Sequence, residues 1–191
     1  MCNAPGVSER VAVVGLSGSG KTTLATELAG ILGCPHVELD ALHWGPGWTE
    51  AEPEAFRAAV DAATAGDRWV VCGNYWGKLG PRLWLRADTV VWLDLPMWLV
   101  QSRSVRRTLW RAVSRRRLWA GNRESFSGLW ADDALWQYHL EVRDRRRARY
   151  EQAMTDPQWS HISFLRLRSR SEVRQLLAAM ATEHPGARPR R

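Results

Sequence analysis

Cysteine is scarce in this sequence, and lysine is scarcer. The three cysteines, Cys2, Cys34 and Cys72, are an odd number without C-x-x-C spacing. That excludes a disulfide framework and leaves no ligand pattern for zinc, so free thiols and a cytoplasmic setting are expected. Long apolar runs are missing as well: the longest, Thr89 to Val100, is broken by Asp94 and Pro96, whereas a membrane span needs about 20 apolar residues. The opening MCNAPGVSER has no apolar stretch behind a basic start, so neither a secretory leader nor a membrane partner is expected. Lys21 and Lys78 are the only lysines among 27 basic residues, and the rest are arginine.

The chain has 191 residues, 45% of them apolar and 25% charged. This is the make-up of a soluble globular protein, and it excludes collagen, coiled coil and mucin-like stalks. The length suits one domain that buries roughly 70% of the surface its unfolded chain exposes. Residues 103–149 hold 13 arginines against five carboxylates, more than the whole excess of +7 carried by the chain. A basic block of this kind points at phosphates, whether of a nucleotide, a nucleic acid or a membrane.

Apolar patterning lays out an alternation of strands and helices. The run RVAVV at 10–14 reads as a buried strand entering a turn at Gly15. Lys21 to Leu32 reads as a helix stopped by Gly33 and Pro35, and Val37 to Asp40 as a second strand before the loop Trp44 to Trp48. A helix over 52–65 has Pro53 at its first position. Trp69 to Cys72 and Thr89 to Leu93 are the third and fourth strands. Pro96 opens a long helix to about Arg117, a break follows at 119–124, and a second arginine-rich helix covers roughly Leu129 to Ala153. His161 to Leu167 is the fifth strand and Ser171 to Ala181 a closing helix. Strands alternating with helices imply a parallel sheet. The expectation is one α/β domain over 1–183, with a helical insertion at about 108–130 and a disordered tail at 184–191.

The segment from Gly15 to Thr22, GLSGSGKT, fits G-x-x-x-x-G-K-[ST] between a strand and a helix, the context that a phosphate-binding P-loop requires. In such a loop the backbone amides of Gly15, Ser17, Gly18, Ser19 and Gly20 curl around phosphates. Lys21 reaches the β and γ phosphates, and the Thr22 hydroxyl is offered to Mg²⁺. Asp94 ends the apolar run VVWLD, as Walker B carboxylates do when they hold Mg²⁺, although an Asp here also serves to cap the helix that follows.

Asp40 closes the second strand, at the edge where open α/β sheets meet ligands, and a carboxylate there can accept or orient an acceptor hydroxyl. His43, Trp44, Asn74, Tyr75 and Arg82 lie near the same edge and are candidates for the acceptor side. Packing is nonetheless the ordinary use of a lone histidine or a tryptophan. Arg103, Arg107 and Arg111 recur every four residues, along one face of the helix after Asp94. Phosphoryl transfer needs such cations because charge spreads over the γ-phosphate oxygens. The run Arg143, Arg145, Arg146, Arg147, Arg149 reads as a solvated face with one or two members brought inward.

On these residues the sequence resembles the adenylate-kinase-like P-loop kinases. ADTVVWLDLPMWLVQSRSVRR looks like the segment in which those enzymes pass from the fourth strand through Asp and Pro into a helix with two arginines. Here these are Arg103 and Arg107. LDALHWGPGW and DRWVVCGNYWGKLGPRLWLRADTVVWLDLP are similar to the bacterial proteins labelled topology modulation proteins or adenylate-kinase-related kinases, and the likeness covers about residues 10–175. It implies a P-loop NTPase three-layer sandwich with a five-stranded parallel sheet and an arginine-rich lid. It further implies that Ser17 to Thr23 hold ATP, that Arg103 and Arg107 meet ATP and the transferred phosphate, and that the Gly73-Asn74-Tyr75 loop with Arg82 faces the acceptor. Two departures stand out. The loop lacks the proline and the second glycine of G-x-P-G-x-G-K-G-T, and Gly73-Asn74-Tyr75-Trp76 replaces a G-[FY]-P triad followed by arginine. Asp40 looks more like the acid of uridine-kinase-type and gluconate-kinase-type enzymes, which meets an acceptor hydroxyl.

The expected function is therefore transfer of the γ-phosphate of Mg-ATP to a small acceptor, by a monomer or homodimer and without specific nucleic-acid binding. The alternative is a nucleic-acid-associated or regulatory P-loop ATPase.

Overall fold

The computed structural model describes residues 9–103, 106, 119–122 and 132–184. Its centre is β1 (Arg10–Gly15), whose burial alternates between two faces: Val11 and Val13 point into one core, Ala12 and Val14 into the other. A period of two is what a strand imposes. Burial on both sides explains why the run is apolar throughout.

Helix α1 (Lys21–Leu32) packs Leu24, Ala25, Leu28 and Leu32 on one face of the sheet and stops at Gly33, which takes a left-handed conformation. β2 (His36–Glu38) is shorter than its apolar pattern suggests: Leu39 already opens a short helix, with its side chain in the same core as that of Val37. Residues Leu39–His43 close into the short helix α2, with the Trp44 N–H donated to Asp40 O at 3.0 Å. Asp40 therefore sits in the first turn of a helix and not at the end of a strand. Helix α3 (Pro53–Ala63) buries Phe56 and Val60. After β3 (Trp69–Cys72) a single turn, α4 (Trp76–Leu79), occupies a stretch that the sequence pattern leaves as loop.

β4 (Thr89–Leu93) leads past Pro96 into α5, helical over 97–103. Helix α6 (Asp132–Ala153), β5 (Ser163–Leu167) and α7 (Arg170–Glu183) complete the chain. Ser169 caps α7 by accepting the Glu172 N–H at 3.2 Å, and Glu172 accepts the Arg168 N–H at 2.7 Å, so two otherwise unpaired donors are satisfied at one helix start. Most of the helix expected up to Arg117, the insertion apart from 119–122, Arg107, Arg111 and the tail beyond His184 lie outside the described residues.

The sheet order is β2-β3-β1-β4-β5, and every pair is parallel. Helices α1 and α7 cover the Val11/Val13 face. The other face holds an aromatic core of Phe56, Trp69, Trp84, Trp92, Tyr150 and Trp159. Each fully buried large apolar side chain contributes roughly 1.5–3 kcal/mol. With β1 flanked by β3 and β4, the loops leaving all three strands open at one edge of the sheet, where ligands of open α/β sheets bind.

Candidate active site at the carboxyl edge of the sheet

A cleft of about 1050 Å³ opens at that edge. Its floor is the loop 17–20 and the start of α1 through Thr23; Glu38, Asp40, Cys72 and Gly73 form one wall, and Arg103, Arg170 and Arg174 another. Ser17 to Thr22 of the sequence motif line the cleft together with Asp40 and Arg103, whereas Gly15 and Leu16 line a separate small hollow.

The loop geometry fits phosphate. Gly20, at φ +98°, caps α1 without any side-chain hydrogen bond, and the first turn holds no acidic residue, so the amides and the positive end of the helix are open to an anion. A Cβ at Gly15 would lie 2.7 Å from Leu93 O, at a φ of +146°. No other residue allows that approach. The Lys21 ammonium donates to Leu16 O at 2.8 Å, which folds it back over the loop. Arg103 donates to Ser19 O at 3.2 Å; burial, and then the charge of Arg170, lowers its pKa. Ser19 Oγ is buried with no hydrogen-bond partner among the described residues.

Three residues that sequence reasoning passed over complete this side. The Thr22 hydroxyl donates to Glu38 Oε1 at 2.9 Å, and the Trp119 indole N–H donates to Glu38 Oε2 at 2.8 Å. Glu38 is therefore the carboxylate beside the P-loop hydroxyl. Its signal is the pair of acids two residues apart in Glu38-Leu39-Asp40, of which the strand-end argument selects only Asp40. Arg170 on α7 gave no local signal at all.

Asp94 does not take that position. Its Oδ2 accepts from Arg166 Nε at 2.9 Å and Nη2 at 2.6 Å, and the Arg166 guanidinium lies 4.3 Å above the Trp92 ring. Asp94 lines a separate small hollow together with Gly15, Leu16, Arg143, Arg146, Arg147 and Tyr150. Asp94, expected as a magnesium ligand, is thus paired with a largely buried guanidinium, while the carboxylate hydrogen-bonded to Thr22 is that of Glu38. Three arginines of α6 face this hollow, more than the one or two expected.

The acceptor-side candidates separate likewise. Asp40 lines the cleft, and Tyr75 serves it from behind, donating its hydroxyl to Asp40 Oδ1 at 2.6 Å. Burial, and then that bond, raises the Tyr75 pKa. Asn74 is consumed structurally: its side chain accepts the Gly15 N–H at 3.1 Å and the Tyr150 hydroxyl at 3.1 Å, and donates to Gly15 O. It ties β1 to β3 and to α6, and is a positioning residue for the loop. His43 is 1% exposed and packs edge-on against Trp44 and Phe56, while Lys78 lies 3.0 Å from its Nε2. His43 and Trp44 belong to packing beneath the cleft. Arg82 pairs with Asp61 of α3 at 3.1 Å on the exposed surface, outside the cleft lining. Cys72 reaches the cleft, but burial pushes its thiol up to about 12, which keeps it protonated and unreactive.

No protein-family model matches this chain, and no curated protein sequence matches it. Among solved structures it is similar to a shikimate kinase from Bacteroides thetaiotaomicron, at 15% identity over 92% of this chain and 97% of that one, with a TM-score of 0.51. A gluconokinase from Sinorhizobium meliloti 1021 matches at 21% identity over 94% and 95%, with a TM-score of 0.49. An unliganded sugar kinase from Janibacter sp. HTCC2649 matches at 21% over 95% and 96%, with a TM-score of 0.48. All three carry the name of a small-molecule kinase, and the adenylate-kinase-related group is not among these names. The fold is the parallel α/β sandwich of P-loop kinases.

Proposed function

We propose that the chain is an ATP-dependent phosphotransferase that moves the γ-phosphate of Mg-ATP to a small hydroxyl-bearing acceptor. The observation that carries this reading is one cleft lined by Lys21, Thr22 and Glu38 of the phosphate end and by Asp40, the carboxylate that Tyr75 holds from behind. Lys21, the amides that open α1, and Arg103 bind the phosphates and stabilise charge as it spreads over the transferred group. Thr22 and Glu38 are the residues that would hold magnesium, which when bound neutralises the β and γ oxygens. Asp40, with Oδ1 occupied by Tyr75, keeps Oδ2 for an acceptor hydroxyl and orients it for transfer.

The reading is tested by incubating the protein with Mg-ATP and a panel of nucleoside monophosphates, nucleosides, sugars and sugar acids, with Lys21→Ala as the control. Lys21-dependent ADP formation stimulated by one class is expected. Turnover indifferent to every acceptor, or unchanged in Lys21→Ala, overturns it.

A further inference from the structure

Trp119, of the segment 119–122, lines the cleft beside Glu38. The Trp119 indole N–H reaches Glu38 Oε2 at 2.8 Å, while Thr22 occupies the other oxygen of the same carboxylate at 2.9 Å. Asn122, 6% exposed, anchors the segment: its Oδ1 accepts the backbone N–H of Trp48 at 3.2 Å, and its Nδ2 donates to Gly45 O at 2.8 Å. The Trp48 and Trp119 rings meet edge to face with centroids 6.4 Å apart, and Trp44 meets Trp48 in the same manner at 5.7 Å.

The backbone on both sides of this contact is strained. Among the described residues, the non-glycine positions with positive φ are Trp48, at 60°, and Ala120, at 53°. A side chain disfavours that conformation, which persists only where surrounding contacts over-determine it. Both positions belong to this one junction.

We propose that Trp119 is a positioning residue for the metal-holding end of the cleft, fixing the Glu38 carboxylate through its indole N–H while Asn122 fixes Trp119. The proposal rests on the reading of Thr22 and Glu38 as the pair that holds magnesium. Glu38 on its own has a flexible side chain, and an anchored donor restricts it before the cation arrives. An indole N–H donates and never accepts, so it favours the ionised carboxylate that a cation needs. The ring contact with Trp48 asks only for an aromatic at 119, whereas the contact with Glu38 asks for the N–H. Trp119→Phe separates the two.

The test uses Mn²⁺ as the probe, its uptake followed by electron paramagnetic resonance in the presence of a non-hydrolysable ATP analogue. Affinity for the analogue without metal is measured in parallel by equilibrium dialysis. Loss of a hydrogen-bond partner from a metal-holding carboxylate costs about 10–100-fold in metal affinity. Trp119→Phe is expected to weaken Mn²⁺ by about 10-fold or more and to leave metal-free analogue binding unchanged. Asn122→Ala is expected to do the same, and the double variant to be no worse than either, because both act through one contact. Wild-type Mn²⁺ affinity in Trp119→Phe overturns the proposal, as does an equal loss with and without metal. If the wild-type protein binds the analogue but takes up no Mn²⁺, the assignment of Thr22 and Glu38 fails, and the role of Trp119 fails with it. Trp119→Phe alone decides if Asn122→Ala does not fold.

Discussion

Tyr75 and Asp40, 35 residues apart in sequence, are joined by a hydrogen bond of 2.6 Å at the wall of the cleft. The phenol donates to one carboxylate oxygen and leaves the other for a ligand. A hydrogen bond to a charged group is worth about 1.5–3 kcal/mol. Tyr75→Phe is expected to lower kcat/KM for the acceptor by about 10-fold or more while leaving the KM for ATP near its wild-type value, which steady-state kinetics measures. An equal effect on both substrates contradicts the assignment.

Under the proposed function Glu38, hydrogen-bonded to Thr22, holds magnesium, and Asp94, paired with Arg166, does not. Glu38→Gln is expected to raise the magnesium concentration needed for half-maximal turnover by about 10-fold or more. Asp94→Asn leaves that concentration unchanged. Arg166→Met strands the Asp94 charge in a site where its side chain is only 11% exposed, and is expected to cost about 3 kcal/mol in urea unfolding. A comparable rise in the magnesium requirement in Asp94→Asn returns Asp94 to the metal.

Acid is expected to destabilise the fold through His43. Burial, and then the charge of Lys78, holds its pKa below the ordinary 6.5. The unfolded chain therefore takes up a proton near 6.5 that the folded chain accepts only at lower pH. In that interval the unfolded state binds more protons, so stability is full above it and falls as pH drops through it. The urea midpoint is lower at pH 5 than at pH 8, and His43→Leu makes the dependence shallower. His36, whose pKa burial also lowers, contributes with the same sign.

Duplex DNA binding, if it occurs in dilute salt, is expected to vanish on approach to physiological ionic strength. Arg103 faces the cleft, and Arg143, Arg146 and Arg147 face the hollow behind the loop. Binding to phosphates by residual surface charge alone falls by about a thousandfold or more between dilute and physiological salt. Anisotropy of a labelled duplex across that range measures it, and affinity retained at physiological salt supports the nucleic-acid-associated ATPase instead.

Much of this architecture is written in short windows of sequence. The β-branched run at 11–14, the glycine spacing of the loop, Pro53 at a helix start and Gly33 at a helix end act through local backbone preferences, and the corresponding elements form where those signals stand. The ligand edge was legible for the same reason: the carboxyl ends of alternating strands share one side of a parallel sheet. Local signals misplaced what depends on a partner elsewhere. Leu39 reads as the continuation of β2, yet it opens the short helix α2 that carries Asp40. Asn74 reads as a candidate for the acceptor side, yet Gly15 and Tyr150 use its hydrogen-bonding groups.

The sequence by itself determined that a glycine-rich loop of the P-loop pattern follows the first strand of a parallel α/β sheet, because backbone conformation and side-chain period are properties of a few consecutive residues. The tertiary structure alone decided which carboxylate stands beside Thr22. Arg166 stands opposite Trp92 in the β4–β5 register, which brings its guanidinium over that ring and onto Asp94. Glu38, at the end of β2, meets Thr22 of α1 and Trp119. An ion pair depends on distance in space, and only the strand register and the helix packing set that distance.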